Sequence, residues 1–164
     1  MAMMADPETH PQHSLAGRGV YLLDDHEVVR RGLGQLLGSD GLRIAGESGS
    51  ARVAVRRTPA LRPALVIVDD DLPDGSGAEV CRAIAAADPI IRCVLMTDDS
   101  DEAVLVDAIL AGAWGCLSKQ DGGSEQLRLI HGPWPGTPRT AGGSSPRSLP
   151  RSSRPGRNAW TNDS

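Results

Sequence analysis

The stretch Val66–Gly77, VIVDDDLPDGSG, decides the fold. Three apolar residues, Val66, Ile67 and Val68, run directly into Asp69, Asp70 and Asp71. A tight turn, Leu72-Pro73-Asp74-Gly75, follows. The apolar half reads as a strand buried on both faces, because an unbroken apolar run leaves no polar face for water. The acidic half demands an explanation. Adjacent carboxylates repel, and one of them resists ionising unless a cation or a proton lies between them. Either the strand opens into a solvated loop, or a positive charge belongs at its end.

Working outward, the same strand–helix alternation repeats between residues 18 and 130. Val20 to Leu23 is a short apolar run, and Val29, Leu33, Leu36 and Leu37 then recur at helical spacing. Leu42 to Ala45 reads as a weaker second strand. Ser50 is placed to cap a helix that the sequence predicts to end at Thr58-Pro59. Leu65 to Val68 is the third strand, and Ala78 to Ala87 an Ala-rich helix stopped at Asp88-Pro89. Cys93 to Met96 is the fourth strand, and Asp101 to Ala111 a helix with Gly112 as its C-cap. Gly115 to Leu117 is the fifth strand, and Glu125 to Ile130 starts a last, truncated helix. Such β–α repeats with fully apolar strands predict an α/β fold, a doubly wound five-stranded parallel sheet with helices on both faces. Ligands of such sheets bind at the carboxyl ends of the strands.

Those ends carry a coherent set of groups. Strand one ends in Asp24-Asp25, strand three in Asp69-Asp70-Asp71, strand four in Thr97-Asp98-Asp99, and strand five in Ser118-Lys119. Any one of these alone reads as an Asx-turn or a helix cap. Their conjunction on one rim is the signal. Clustered carboxylates suit a hard divalent cation such as Mg²⁺. A lysine can hold a phosphoryl oxygen, and a threonine hydroxyl can donate to it. Together they are equipment for phosphoryl transfer, where charge neutralisation and positioning supply most of the catalysis.

Four blocks, LLDDHEVVRRGLGQLL, VIVDDDLPDGSG, CVLMTDD and AGAWGCLSKQ, resemble in order and spacing the motifs of the response-regulator receiver domain. The likeness covers residues 18–130. It is strongest to the NarL/FixJ-type subfamily and, within it, to the mycobacterial dormancy-regulator branch. The resemblance implies a flavodoxin-like, CheY-like fold and a two-component phosphorelay. It implies Asp69 as phosphoacceptor, because it stands four residues before Pro73. By the same resemblance Asp24 and Asp25 form the metal-binding acidic pair, with Asp69 and the backbone carbonyl of Asp71 completing the Mg²⁺ shell. Thr97 is implied as the switch hydroxyl and Lys119 as the phosphate-binding lysine. A sensor histidine kinase is the implied partner. The implied catalysis is limited to the domain's own phosphorylation and dephosphorylation. His26 is read as a helix-start residue rather than a ligand, and Asp70 and Asp71 as solvent-side loop residues.

The departures from the family pattern matter equally. The residue after the switch threonine, usually small, is Asp98, which adds a carboxylate at the entrance. The position three before Lys119, usually aromatic, is Cys116, with Trp114 as the candidate to take over its role. The main expectation is a phosphoacceptor module that signals by protein–protein contact. One alternative is a non-switching receiver acting as decoy, or as a homo- or heterodimer partner of full-length response regulators. Another is a phosphatase of the haloacid-dehalogenase type, since DDDLP nearly fits its Asp-x-Asp signature. Pro73 departs from that signature, and Asp24-Asp25 has no role in it. Turnover of p-nitrophenyl phosphate separates the two.

Composition narrows the classes further. The 164 residues carry a net charge of −4, no Phe and one Tyr, which gives neither a field nor stacking platforms for nucleic acid. Cys81, Cys93 and Cys116 match no zinc or disulfide spacing and read as buried thiols. No apolar run reaches a membrane span or a signal-peptide core, so a cytoplasmic location is expected. Residues 1–17 read as a disordered leader. Residues 131–164, rich in Gly, Pro and Ser with five arginines against the single acid Asp163, read as a disordered tail. No helix-turn-helix pattern follows the receiver blocks, so DNA binding by this chain is not expected. A frameshifted tail is the one route back to a transcriptional regulator.

Overall fold

The computed structural model describes residues 19–98 and 102–131. The expectations for the leader and the tail lie outside the described residues, apart from His131, which ends the last helix. Five parallel strands, β1 (Gly19–Leu23), β2 (Arg43–Ser48), β3 (Leu65–Asp69), β6 (Arg92–Thr97) and β7 (Gly115–Ser118), form one sheet in the order β2-β1-β3-β6-β7. Between them lie α1 (Glu27–Ser39), α2 (Ala51–Leu61), α3 (Gly77–Ala87) and α4 (Glu102–Leu110), and α5 (Gly123–His131) follows β7. A two-stranded hairpin, β4 (Asp71–Leu72) and β5 (Gly75–Ser76), sits directly after β3.

The strands are apolar at both parities because both faces are covered. In β1, Tyr21 and Leu23 join the core that includes Val66, Val68, Ala54, Val80 and Ile84. Val20 and Leu22 point the other way and join Ile67, Leu33, Leu37 and Ile130. All five residues of β1 and of β3 are buried. Each fully buried Leu or Val contributes about 1.5–3 kcal/mol relative to exposure.

Local signals set most helix ends. Ser50 caps α2, accepting from the Val53 N–H at 3.3 Å. Ser76 and Glu79 form a reciprocal capping box at the start of α3. Gly112, at φ +93°, takes the left-handed conformation that closes α4, and the Ala113 N–H donates back to Ala108.

Two boundaries need correction, and the first is β2, which runs on to Ser48 rather than ending at Ala45. α2 does not stop at Thr58-Pro59; it runs through Pro59 to Leu61. Proline removes one hydrogen bond there, but Ala51, Ala54 and Thr58 form a buried stripe that holds the helix on the sheet. The helix ends at Arg62, in the left-handed region at φ 46°, just before Pro63.

Candidate functional site

The parallel register brings the acidic strand ends to one rim. Leu23 pairs with Val68, Asp69 with Met96, and Thr97 with Ser118. Asp24 therefore follows β1, Asp69 ends β3, Thr97 ends β6, and Lys119 follows β7, all on the same edge. Asp24, Asp69 and Thr97 are buried. Asp25 and Asp98 are exposed at the mouth. A cleft of about 280 Å³ opens between them, with Asp25, His26, Asp69, Asp71, Asp98 and Lys119 in its wall.

The Lys119 ammonium stands at the centre. Its Nζ lies 2.8 Å from Asp69 Oδ1 and 3.7 Å from Asp24 Oδ2. Burial pushes the Asp69 carboxyl above its ordinary value; the Lys119 hydrogen bond opposes this, and the Asp24 charge adds to it. Burial would lower Lys119, but Asp69, Asp24 and Asp98 outweigh it and raise the ammonium. Asp98 thus adds negative field at the cleft. Asp70, half-buried beside this rim, is raised by burial and by Asp71. Asp71 is exposed, and its N–H reaches Asp69 Oδ1 at 3.5 Å.

The donor atoms of Asp24, Asp25, His26 and Asp69 lie within 4.8 Å of one another. His26 is the N-cap residue of α1, as a helix-start residue should be, but its ring also turns into the cluster. Its Nδ1 lies 3.1 Å from both Asp24 Oδ1 and Asp25 Oδ1. Among the described residues, two buried carboxylate oxygens, Asp24 Oδ2 and Asp69 Oδ2, have no hydrogen-bond partner. A buried anionic oxygen without a donor is costly. The three carboxylates of the set, two of them with such an atom, fit a hard divalent cation of the Mg²⁺ type.

Backbone packing holds this rim in place. A Cβ on Gly77 would meet the Asp69 carbonyl oxygen and Leu95 Cδ1, both at 2.4 Å. Only glycine lets α3 approach the end of β3 so closely. Reading by residue type had not singled out Gly77, although its place inside the Ser76–Glu79 capping box was a usable signal. Arg30, also not singled out, donates from Nη1 to the Asp24 carbonyl at 2.6 Å.

Trp114 does not take the place of the missing aromatic. It precedes β7, at the end remote from Thr97, and its ring is covered by Arg92, whose Cζ lies 4.5 Å from the ring centroid. It packs on the α1/α5 side, whereas Cys116 packs on the opposite side. The three thiols, distant in sequence, meet there: Cys81 and Cys93 are buried in one core cluster, and Cys116 packs against it.

Comparison with known proteins agrees with this architecture. The family described as the response regulator receiver domain matches residues 20–130. The chain is 46% identical over 112 residues to the DNA-binding transcriptional activator DevR/DosR of Mycobacterium tuberculosis, covering 68% of this chain and 52% of that protein. A LuxR-family two-component response regulator from Aurantimonas superposes with a TM-score of 0.66 at 30% identity, covering 69% of this chain and 81% of that one. The receiver domain of the response regulator NarL from M. tuberculosis superposes with a TM-score of 0.65 at 25% identity, covering 69% and 92%. The chain spans about half the length of the curated relatives it matches. Among the described residues no helix is long and apolar enough to cross a membrane.

Proposed function

Because this chain belongs to the response regulator receiver domain family of two-component systems, we propose that residues 18–130 form a phosphoacceptor module with Asp69 as its nucleophile. The observation that carries this reading is the Lys119–Asp69 pair beside two buried carboxylate oxygens, Asp24 Oδ2 and Asp69 Oδ2, that accept no hydrogen bond among the described residues. A sensor histidine kinase is the proposed donor. An Asp69 carboxylate oxygen attacks phosphorus, the bond to the kinase histidine nitrogen breaks, and imidazole leaves neutral because the other nitrogen of the phosphorylated ring carries a proton. The product is an acyl phosphate on Asp69.

Asp24, Asp25, Asp69 and the Asp71 carbonyl are the proposed Mg²⁺ ligands. Bound Mg²⁺ supplies the positive charge that lets clustered carboxylates ionise together and offsets charge on a phosphoryl group. Lys119 holds a phosphoryl oxygen once Asp69 is modified, and Thr97 donates its hydroxyl to the same group. Water access through the open cleft favours self-dephosphorylation as the only other reaction.

Output through a protein partner is part of the same reading. Helix α4 exposes Leu105, Val106, Ile109 and Leu110, an apolar surface suited to a protein contact. Pairing with another copy or with a full-length response regulator belongs to this proposal. Intact-mass analysis after incubation with acetyl phosphate and MgCl₂ tests the core claim. One added phosphoryl group in wild type and none in Asp69→Ala is the expected result; labelling of Asp69→Ala would assign the wrong nucleophile.

A further inference from the structure

The geometry points to Asp74 as a positioning residue for the proposed metal site, acting through the β4–β5 hairpin that carries Asp71. This inference rests on the reading of the cleft given above. Asp74 sits in the hairpin turn, between Leu72 and its partner Gly75. Its carboxylate reaches across to the start of α2. Oδ1 accepts from the Ala51 N–H at 2.8 Å, and Oδ2 accepts from the Ser50 hydroxyl at 2.7 Å and the Arg52 N–H at 3.1 Å.

The arrangement suits α2 and the hairpin together. The first turn of α2 contains no acidic residue of its own. Asp74, more than twenty positions along the chain, supplies the negative charge that a helix N-terminus favours. Burial raises the Asp74 carboxyl, but the Ala51, Arg52 and Ser50 donors outweigh it and hold it below its ordinary value. The same junction touches the acidic pair. The Ser48 hydroxyl donates to the Ser50 carbonyl at 3.1 Å, and the Asp24 N–H donates to the Ser48 carbonyl at 3.1 Å.

The hairpin is therefore pinned at both ends. At its base the Gly77 N–H donates to the Asp70 carbonyl at 3.0 Å. At its tip Asp74 is the anchor. Asp71 lies between the two, so the place of its carbonyl relative to Asp24 and Asp25 depends on both. Ser50, Ala51 and Arg52 thus join the loop after β3 to the loop after β1. Outer-shell groups of this kind tune metal affinity although they never touch the metal.

Calorimetric titration of MgCl₂ into the full chain tests the inference, with phosphorylation by acetyl phosphate followed across the same concentrations. Asp74→Ala is expected to raise the half-saturating Mg²⁺ concentration about tenfold while changing the phosphorylation rate at saturating Mg²⁺ far less. Asp74→Asn, which keeps one acceptor oxygen, is expected to give an intermediate rise, and it carries the test if Asp74→Ala does not fold. Ser50→Ala removes one of the three bonds to Asp74 and should give a smaller rise than Asp74→Ala, since the Ala51 and Arg52 N–H groups still hold the carboxylate. Wild-type affinity in both Asp74 variants would overturn the role of Asp74 while leaving the metal site standing. Absence of Mg²⁺ binding by wild type would instead remove the metal site itself, and this inference with it.

Discussion

Lys119 Nζ lies 2.8 Å from Asp69 Oδ1, so the loop after β7 is tied by one ion pair to the end of β3. That single cation also faces Asp24 Oδ2, at 3.7 Å. One ammonium cannot neutralise Asp24, Asp25 and Asp69 together. The cluster therefore carries surplus negative charge in the absence of a metal, and its response to losing Lys119 is informative.

Lys119→Met should destabilise the metal-free protein by about 1–3 kcal/mol, because it leaves two buried carboxylates without a cation. MgCl₂ should restore much of that loss by supplying charge to the same oxygens. Urea denaturation with and without MgCl₂ reads both effects. An unchanged midpoint in the variant would show that the pair is energetically idle.

Mg²⁺ should raise the melting temperature of the wild type, since binding to the native state alone stabilises it by mass action. Asp25→Asn should shift the midpoint of that response to higher Mg²⁺. Thermal melts across a MgCl₂ series check this, and identical curves for the two proteins would place the cation elsewhere.

Phosphorylation by acetyl phosphate should be slow and should speed up in Asp98→Ala. Asp98 is exposed, so its repulsion of an incoming phosphoryl group is well screened and amounts to about 1 kcal/mol, or roughly fivefold in rate. Initial rates from intact-mass time courses decide it. A slower Asp98→Ala would mean that this carboxylate helps rather than hinders.

The thiols should be inert in the folded state. Hydrogen bonding to Cys81, and then burial, push Cys93 well above its ordinary value. Burial first, and the neighbouring Cys81 and Asp70 second, raise Cys116 from 9.0 to about 11. A rise of two pH units lowers the reactive thiolate fraction of Cys116 about a hundredfold at neutral pH. Disulfide-exchange reagents should therefore react slowly until denaturant is added; rapid native-state labelling would contradict the packing.

Asp74 should leave a signature in acid. Its carboxyl is depressed in the folded protein, so the stability it adds is complete above its unfolded value, about 3.9, and fades as pH falls through the lower folded value. Wild type should lose stability below about pH 4 more steeply than Asp74→Asn. Chemical denaturation from pH 3 to pH 6 would compare the slopes, and parallel curves would argue against the cap.

Gly77→Ala should destabilise by about 1–3 kcal/mol, because the added methyl overlaps the Asp69 carbonyl and Leu95. Relief of that overlap moves the end of β3, so phosphorylation should also slow. Denaturation midpoints and labelling rates check the two effects separately.

The sequence by itself determined the layered α/β fold and which carboxylates meet. Unbroken apolar strands must be covered on both faces, and parallel connections must return every strand end to one rim. Asp24, Asp69, Thr97 and Lys119 needed no more than that periodicity to be gathered. The tertiary structure alone decided what depends on pairs distant in the chain. Packing of Ala51, Ala54 and Thr58 carries α2 past Pro59, against the local rule for proline. Asp74 finds Ser50, Ala51 and Arg52 only once β3 lies beside β1. Trp114 is taken by Arg92, and Cys81 meets Cys93 beneath α3, neither of which any spacing announces. The division follows the range of the forces. Strand periodicity and helix caps act within a few residues and are written locally, whereas side-chain hydrogen bonds and close packing are fixed only when distant segments share one surface.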